Sequence, residues 1–190
     1  MSRKTALILS VIFALGAVYF AVTYKPGAVK EDKKTVVAGK VSERPKPRPI
    51  GNAGTDHQHI ALNVFVNGSQ LDFFDKKYML QSPIVHLEND DGINVHKHAI
   101  GITLPFFFKT LGMTLTSSCL TLDTGKKYCS DATNKLSFLV NGEEMNPDDY
   151  EIIDADKVLV NYGNEDYVTL RLRANGIPKV PDDILKGLSG

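Results

Sequence analysis

Cysteine is scarce in this chain and occurs only twice in 190 residues, at Cys119 and Cys129. The intervening sequence LTLDTGKKY excludes the C-x-x-C spacing that lowers the thiol pKa in thioredoxin-like proteins. The turn signal Asp123-Thr124-Gly125 lies midway between the two cysteines, which would place them opposite each other in an antiparallel hairpin. We therefore predict a structural disulfide, with a redox-active dithiol or a copper-thiolate site as the alternatives.

Charge is absent from residues 5–24, which run TALILSVIFALGAVYFAVTY. At about 1.5 Å per residue, a helix of this length would span roughly 30 Å, the thickness of a bilayer's hydrocarbon core. A cleaved signal peptide is the alternative, but its apolar core is shorter, and bulky aromatic residues occupy the expected cleavage window here. Arg3 and Lys4 favour a cytoplasmic N-terminus. We therefore predict an uncleaved single-pass transmembrane anchor, with the rest of the chain outside the cytoplasm.

The chain has no net charge, but its basic and acidic residues are unevenly distributed. Residues 25–54 carry eight basic and three acidic side chains, and their ending ERPKPRPIGNAG favours an extended, solvated stalk. Residues 55–178 carry ten basic and seventeen acidic side chains, which argues against a nucleic-acid partner. We divide the chain into an anchor (1–24), a Pro/Lys-rich stalk (25–54), an extracytoplasmic globular domain (55–178) and a C-terminal tail (179–190).

Short runs of alternating apolar and polar residues after His57 predict the strands of an α+β domain. The phrases NVFVNGSQ and LSFLVNGEE each place Asn-Gly after a β-rich run, which is a strong hairpin signal. Thr103, Pro105 and Gly112 mark the start and end of one short helix. The one-sided alternation of most strands predicts a mainly antiparallel sheet, crossed by this helix, with one packed face and one solvent-exposed face.

All histidines of the chain fall within 42 consecutive positions, in the order H-x-H, one single histidine and H-x-H: His57, His59, His86, His96 and His98. Side chains two residues apart on a strand point to the same face. Each histidine is out of phase with the neighbouring aliphatic residues, so we expect the imidazoles to converge on the solvent-exposed face. Imidazole suits zinc and copper, and we predict one metal site here, with Glu88 and Asp56 as supporting partners or oxygen ligands.

Ligand chemistry favours Cu(II) or Zn(II) for this site and does not distinguish between them. Met79, Met113 and Met145 are not clustered, which disfavours a methionine-based Cu(I) carrier. The H-x-H pairs also lack the glycine and glutamate spacing of cupins.

Longer segments of the chain resemble two known groups of proteins. LSFLVNGEEMNPDDYEIIDADKVLVNYG resembles the closing half of β-grasp domains, which implies a β-grasp-like sheet. DHQHIALNVFVNG, IVHLENDDGINVHKHAIGITL and FFKTLGMTLTSSCLTLDTGKKYC resemble a family of membrane-anchored archaeal proteins that are often labelled protein-disulfide isomerase. That resemblance implies an extracytoplasmic, metal-associated domain, whose recurring histidines correspond to His57 or His59, His86, His96 and His98.

These observations favour a membrane-anchored metal-binding module that is not an enzyme. Its expected partners are the membrane, through the N-terminal helix, and a membrane protein; the oligomeric state is left open. Three alternatives remain at this point. The first is a metal-dependent enzyme with Glu88 as general base, the second is a structural or interaction subunit of a membrane complex, and the third is a thiol-disulfide protein.

Overall fold

The structure is a computed structural model that describes residues 45–186. The predicted anchor and most of the predicted stalk lie outside the described residues. Between residues 45 and 186, no helix combines the length and the apolar character needed to cross a bilayer. The described part is an α+β domain, as predicted.

Ten strands and three short α-helices make up this part of the chain. The strands are β1 (Gln58–Val66), β2 (Ser69–Gln70), β3 (Val85–His86), β4 (Asn94–Lys97), β5 (Thr114–Leu115), β6 (Cys119–Thr121), β7 (Lys127–Cys129), β8 (Lys135–Val140), β9 (Glu143–Glu144) and β10 (Lys157–Gly163). The helices are α1 (Leu104–Thr110), α2 (Tyr167–Gly176) and α3 (Asp182–Leu185), with 3-10 helices at Lys76–Tyr78 and Pro147–Asp149.

The larger sheet has the strand order β3-β4-β1-β10-β8-β9, and β2 pairs with the end of β1. All of its pairings are antiparallel except the central one, where β1 and β10 run parallel from Ala61 beside Lys157 to Val66 beside Tyr162. The prediction of a mainly antiparallel sheet is therefore confirmed. A parallel pair has no hairpin turn to signal it, so the central pairing could not be predicted from local sequence.

Both predicted Asn-Gly hairpins are present in this sheet. Asn67 and Gly68 connect β1 to β2 with φ values of 50° and 81°, and Asn141 and Gly142 connect β8 to β9 with φ values of 53° and 82°. Both central residues of such a turn need positive φ, which asparagine and glycine tolerate. The turn residues therefore set the register of β1–β2 and of β8–β9.

One face of the larger sheet packs against α1, as predicted. Thr103 caps this helix by accepting a hydrogen bond from the Phe106 N–H. Phe107 and Phe108 are fully buried on the helix and join the core formed by alternate residues of β1, such as Leu62. The triple-phenylalanine sequence therefore serves mainly as core.

The opposite face is also covered, which corrects the prediction of a solvent-exposed face. Ala61, Leu139 and Leu159 form a second core with Leu170 and Ala174 of α2. Val180, which lies in the predicted tail, is buried in the same core. We predicted a single helix, and α2 was missed because its sequence YVTLRLRANG has no clear apolar stripe.

A smaller antiparallel sheet, β5-β6-β7, carries both cysteines. Cys119 lies opposite Cys129 in the β6–β7 register, and a disulfide joins them. The predicted pairing across an antiparallel hairpin is therefore confirmed.

Residues 48–55, which we call the strap, lie against the end of β4. The Gly51 N–H donates to the Ile100 carbonyl at 3.1 Å, and the Gly54 N–H donates to the His98 carbonyl at 2.7 Å. Gly101 has a φ of 76°, and a β-carbon there would collide with the carbonyls of Arg48 and Pro49. Although most of the strap falls within the predicted stalk, its backbone is hydrogen-bonded to the domain.

Candidate metal centre

The strand register brings the histidines together. Antiparallel pairing of β1 with β4 places His59 opposite His96, and pairing of β3 with β4 places His86 opposite His96. Directly opposed residues share a face of the sheet. His57 and His98 lie two residues from His59 and His96, just beyond the strand ends, so they have the same phase.

The five imidazoles are arranged in a ring, each next to two others, and we call this group the five-histidine cluster. The distances between successive ring centroids are 4.7 Å (His57–His59), 4.8 Å (His59–His96), 6.1 Å (His96–His86), 4.9 Å (His86–His98) and 4.9 Å (His98–His57). The sequence prediction named all five residues, and the structure places all five in contact.

Three members of the cluster approach each other most closely. His57, His59 and His96 each offer a ligand nitrogen, and these atoms lie within 4.8 Å of one another. Nε2 of His57 is 3.1 Å from Nε2 of His59. Two ligands on one tetrahedral zinc, with bonds of about 2.0–2.1 Å, are separated by roughly 3.3 Å. This three-histidine group could therefore hold a metal ion.

The cluster is more buried than we predicted. His59, His86 and His96 are buried, His98 is half-buried, and only His57 is exposed. The reason is that His59, His96 and His86 lie opposite one another across β1, β4 and β3, so the rings cover each other. The metal site would therefore open to solvent mainly at His57.

Burial changes the proton affinity of the cluster. It lowers the pKa of His59 and His98, and it lowers the pKa of His96 to about 4 despite the opposing effect of the Glu88 carboxylate. The neighbouring imidazoles reinforce each decrease. At neutral pH these three rings are therefore uncharged, and a neutral imidazole is the form that binds metal.

Two carboxylates contact the imidazoles. Glu88 Oε2 lies 3.3 Å from His86 Nε2, and Glu88 Oε1 lies 3.4 Å from His96 Nδ1. Asp154 Oδ1 accepts the backbone N–H of His59 at 2.8 Å and lies 3.4 Å from His59 Nδ1. At 3.4 Å this contact is long for a hydrogen bond, so the buried Nδ1 of His59 is poorly satisfied.

Sequence reasoning identified Glu88 and missed Asp154. Glu88 lies two residues from His86 and therefore shares its face, so its spacing was a usable signal. Asp154 reaches His59 from the turn before β10, 95 residues away in the sequence, and no local pattern indicates that contact.

Asp56, the other predicted partner, contacts the backbone of the cluster. Its Oδ1 accepts the His57 N–H at 3.0 Å, and its Oδ2 lies 2.9 Å from Nζ of Lys97, a fully buried lysine.

Lys97 Nζ also contacts Glu151 Oε1 at 3.0 Å. Burial alone would raise the pKa of Glu151, but hydrogen bonds from Arg48, Gly101 and Lys97 outweigh it and hold that pKa at about 2.

The disulfide is separate from these groups, because Cys119 and Cys129 lie in the smaller sheet.

The chain was compared with models of protein families, with characterised proteins and with solved structures, and no match was found. The functional assignment therefore rests on the geometry of the five-histidine cluster.

Proposed function

We propose that this protein is a non-enzymatic metal-binding module that holds Cu(II) or Zn(II) at His57, His59 and His96. The observation that carries the proposal is the approach of three imidazole nitrogens to within 4.8 Å of one another. Three imidazoles are a sufficient protein ligand set for either ion, and a fourth position stays open to water or to a transfer partner.

The carboxylates support binding through Nε2. Nδ1 of His59 faces Asp154, and Nδ1 of His96 faces Glu88, at 3.4 Å in each case. A metal-binding histidine commonly directs its other ring nitrogen towards a carboxylate, which sets the tautomer and raises the basicity of the ligand nitrogen. In this arrangement Glu88 orients the ring of His96. Glu88 is therefore less suited to act as a free general base.

A purely structural cluster is the competing explanation. Without metal, His57 and His59 can share one N–H···N hydrogen bond across their 3.1 Å contact. Whichever ring donates that bond, the buried Nδ1 of His59 has the long 3.4 Å contact with Asp154 and no better-placed acceptor. A metal ion on Nε2 would fix the proton on Nδ1, facing Asp154, and would polarise that N–H, which supports the metal-bound reading.

We further propose that the module is held outside the cytoplasm by the segment 5–24. This is supported by the uncharged length of that segment and by the disulfide, since disulfides persist in oxidising compartments. A β-grasp-like fold is supported by the central parallel pairing of β1 with β10 and by α1 on one face. Membership of the archaeal family is a proposal supported by the segments DHQHIALNVFVNG and IVHLENDDGINVHKHAIGITL. A membrane-protein partner is proposed from the proposed anchor, which would hold the module beside the bilayer.

Metal titration tests this function. Purified full-length protein, stripped with a chelator, should bind Zn(II) or Cu(II) with submicromolar affinity in calorimetry. His57→Ala should weaken binding at least tenfold without loss of fold, because His57 is exposed. Gln70→Ala, an exposed change on β2, is the matched control and should bind normally. Absence of binding at micromolar metal would refute the proposal.

A further inference from the structure

We propose that the five-histidine cluster holds a second metal ion, bound by His86, Glu88 and His98. The inference rests on the proposed function, because it extends the same cluster from one ion to two. It concerns the two histidines that the triad of His57, His59 and His96 leaves unused.

The tautomer of His86 is determined by its surroundings. Its Nδ1 lies 2.7 Å from the carbonyl oxygen of Ser82. A carbonyl only accepts hydrogen bonds, so Nδ1 must carry the proton. In the neutral ring Nε2 then presents a lone pair, and that lone pair faces Glu88 Oε2 at 3.3 Å.

Two acceptors that face each other require a cation between them. An additional proton on Nε2 would create an imidazolium–carboxylate pair, whereas a metal ion would bind both atoms directly. The 3.3 Å separation matches the spacing of two ligands on one tetrahedral zinc, for which nitrogen and carboxylate bonds of about 2.0–2.2 Å predict roughly 3.3 Å. The geometry therefore fits a metal ion as well as it fits a proton.

His98 supplies the third ligand. Its ring centroid lies 4.9 Å from that of His86, and its side chain is only half-buried. Among the described residues, only the ligand atoms of the triad already lie within 4.8 Å of one another, so His86, Glu88 and His98 are not yet that close together. His98 must therefore turn about its side-chain bonds to reach the second ion, and its partial exposure permits this rotation.

Charge favours a cation at this position over a neutral occupant. The Glu88 carboxylate contacts the imidazoles of His86 and His96, and no lysine or arginine of the described chain pairs with it. Residues 55–178 carry seven more acidic than basic side chains. A second divalent ion would be balanced in part by Glu88 and in part by this surrounding negative charge.

Stoichiometry and magnetic coupling test the inference. Full-length protein loaded with Zn(II) and desalted should retain two ions per chain, whereas His86→Gln and Glu88→Gln should each retain one. Glu143→Gln, an exposed carboxylate on β9, is the matched control and should retain two. With Cu(II), the second equivalent should broaden the EPR signal of the first, because the two ions would be only a few ångströms apart.

The possible outcomes separate the two proposals. A wild-type protein without bound metal would refute the metal-binding function itself. One ion in the wild type, unchanged in His86→Gln and Glu88→Gln, would leave that function standing and identify the His86–Glu88 contact as a proton-bridged pair. Thermal unfolding of each variant verifies folding, and Glu88→Gln, a change at a partly exposed side chain, provides the second test if His86→Gln unfolds.

Discussion

At the scale of single residues, burial acts on the histidines in two opposite ways. It removes charge from His59, His96 and His98, which prepares them as neutral ligands. It also makes a poorly hydrogen-bonded nitrogen costly, as at Nδ1 of His59. Because the pKa values of these rings are lowered, the metal-free form should be sensitive to acid.

The first prediction concerns the acid sensitivity of the metal-free protein. The pKa of His96 is about 4 in the folded chain and 6.5 in the unfolded chain, so between these values the unfolded chain binds more protons. The free energy of unfolding should therefore fall by roughly 3 kcal/mol as the pH drops from about 6.5 to 4, and this contribution should level off below pH 4. Urea unfolding at several pH values measures the decrease.

His96→Asn is the control for this prediction. The variant removes the largest of the histidine contributions, so its unfolding free energy should depend less on pH over the same range. His59 and His98 contribute in the same direction, so a weaker dependence should persist. Identical pH profiles for the two proteins would contradict the assignment.

A second prediction concerns Asp154, the orienting residue that the sequence did not reveal. Asp154→Asn keeps an oxygen that can accept the His59 backbone N–H, so the fold should persist. The loss of the carboxylate charge near Nδ1 should weaken metal binding about 10- to 100-fold and alter the Cu(II) EPR parameters. Asp183→Asn, an exposed change on α3, should do neither. Unchanged EPR parameters in Asp154→Asn would mean that Asp154 has only a structural role.

At the scale of elements, the strap is attached to the sheet through buried ions. Lys97 lies beneath it and contacts Asp56 and Glu151, and Glu151 in turn binds the Arg48 guanidinium at 2.6 Å. Since the strap leads directly to His57, these ion pairs also position the most exposed ligand of the cluster.

The third prediction tests that attachment. Glu151→Gln removes one of the two carboxylates around Lys97 and leaves Arg48 with only its longer, 3.5 Å contact to Asp56, so it should lower the free energy of unfolding by about 2–3 kcal/mol. Amide exchange of Gly51 and Gly54, which are hydrogen-bonded to the sheet, should accelerate. Glu144→Gln on β9 should leave both quantities unchanged. Unaltered exchange at Gly51 in Glu151→Gln would show that the strap is held by its backbone alone.

The fourth prediction separates the smaller sheet from the metal site. Replacing Cys119 and Cys129 by serine should lower the unfolding free energy by about 2–3 kcal/mol, because a loop with a sequence separation of 10 is released in the unfolded chain. Metal affinity in calorimetry should not change, since all five histidines lie on or directly beside strands of the larger sheet. A large loss of affinity would instead indicate that the thiols participate in metal chemistry.

At the scale of the whole molecule, metal binding should stabilise the entire domain. Strands β1, β3 and β4 and the strap each carry or adjoin a histidine of the cluster, so bound metal connects segments that are distant in sequence. The larger sheet is continuous through these strands, and its unfolding should therefore respond as one unit.

The fifth prediction measures this coupling. Free Zn(II) at one hundred times the dissociation constant should raise the free energy of unfolding by about 2.7 kcal/mol. The midpoint of thermal unfolding should rise by roughly 5–15 °C, and a chelator should reverse the change. His57→Ala at the same Zn(II) concentration should show a clearly smaller rise. An unchanged midpoint in the wild type would indicate that no tight site exists in the folded protein.

Local sequence determined much of this architecture. The phase of His57 and His59 on β1, the Asn-Gly turns and the Thr103 cap act through neighbouring residues, so their consequences can be predicted from spacing alone. The same holds for Cys119 and Cys129, which are placed opposite each other by a single short hairpin. These features require only that a strand alternates with a period of two and that turns need particular φ values.

The tertiary structure decided the features that depend on distant pairing. It placed β10 parallel to β1, covered the second face of the sheet with α2, and brought Asp154 to His59. Burial of the five-histidine cluster follows from that packing, and so do the lowered pKa values. Alternation along a strand determines only which side a residue faces; the enclosure of that side depends on chain segments far away in the sequence. The residues of the metal centre could therefore be identified from the sequence, whereas their electrostatic state could not.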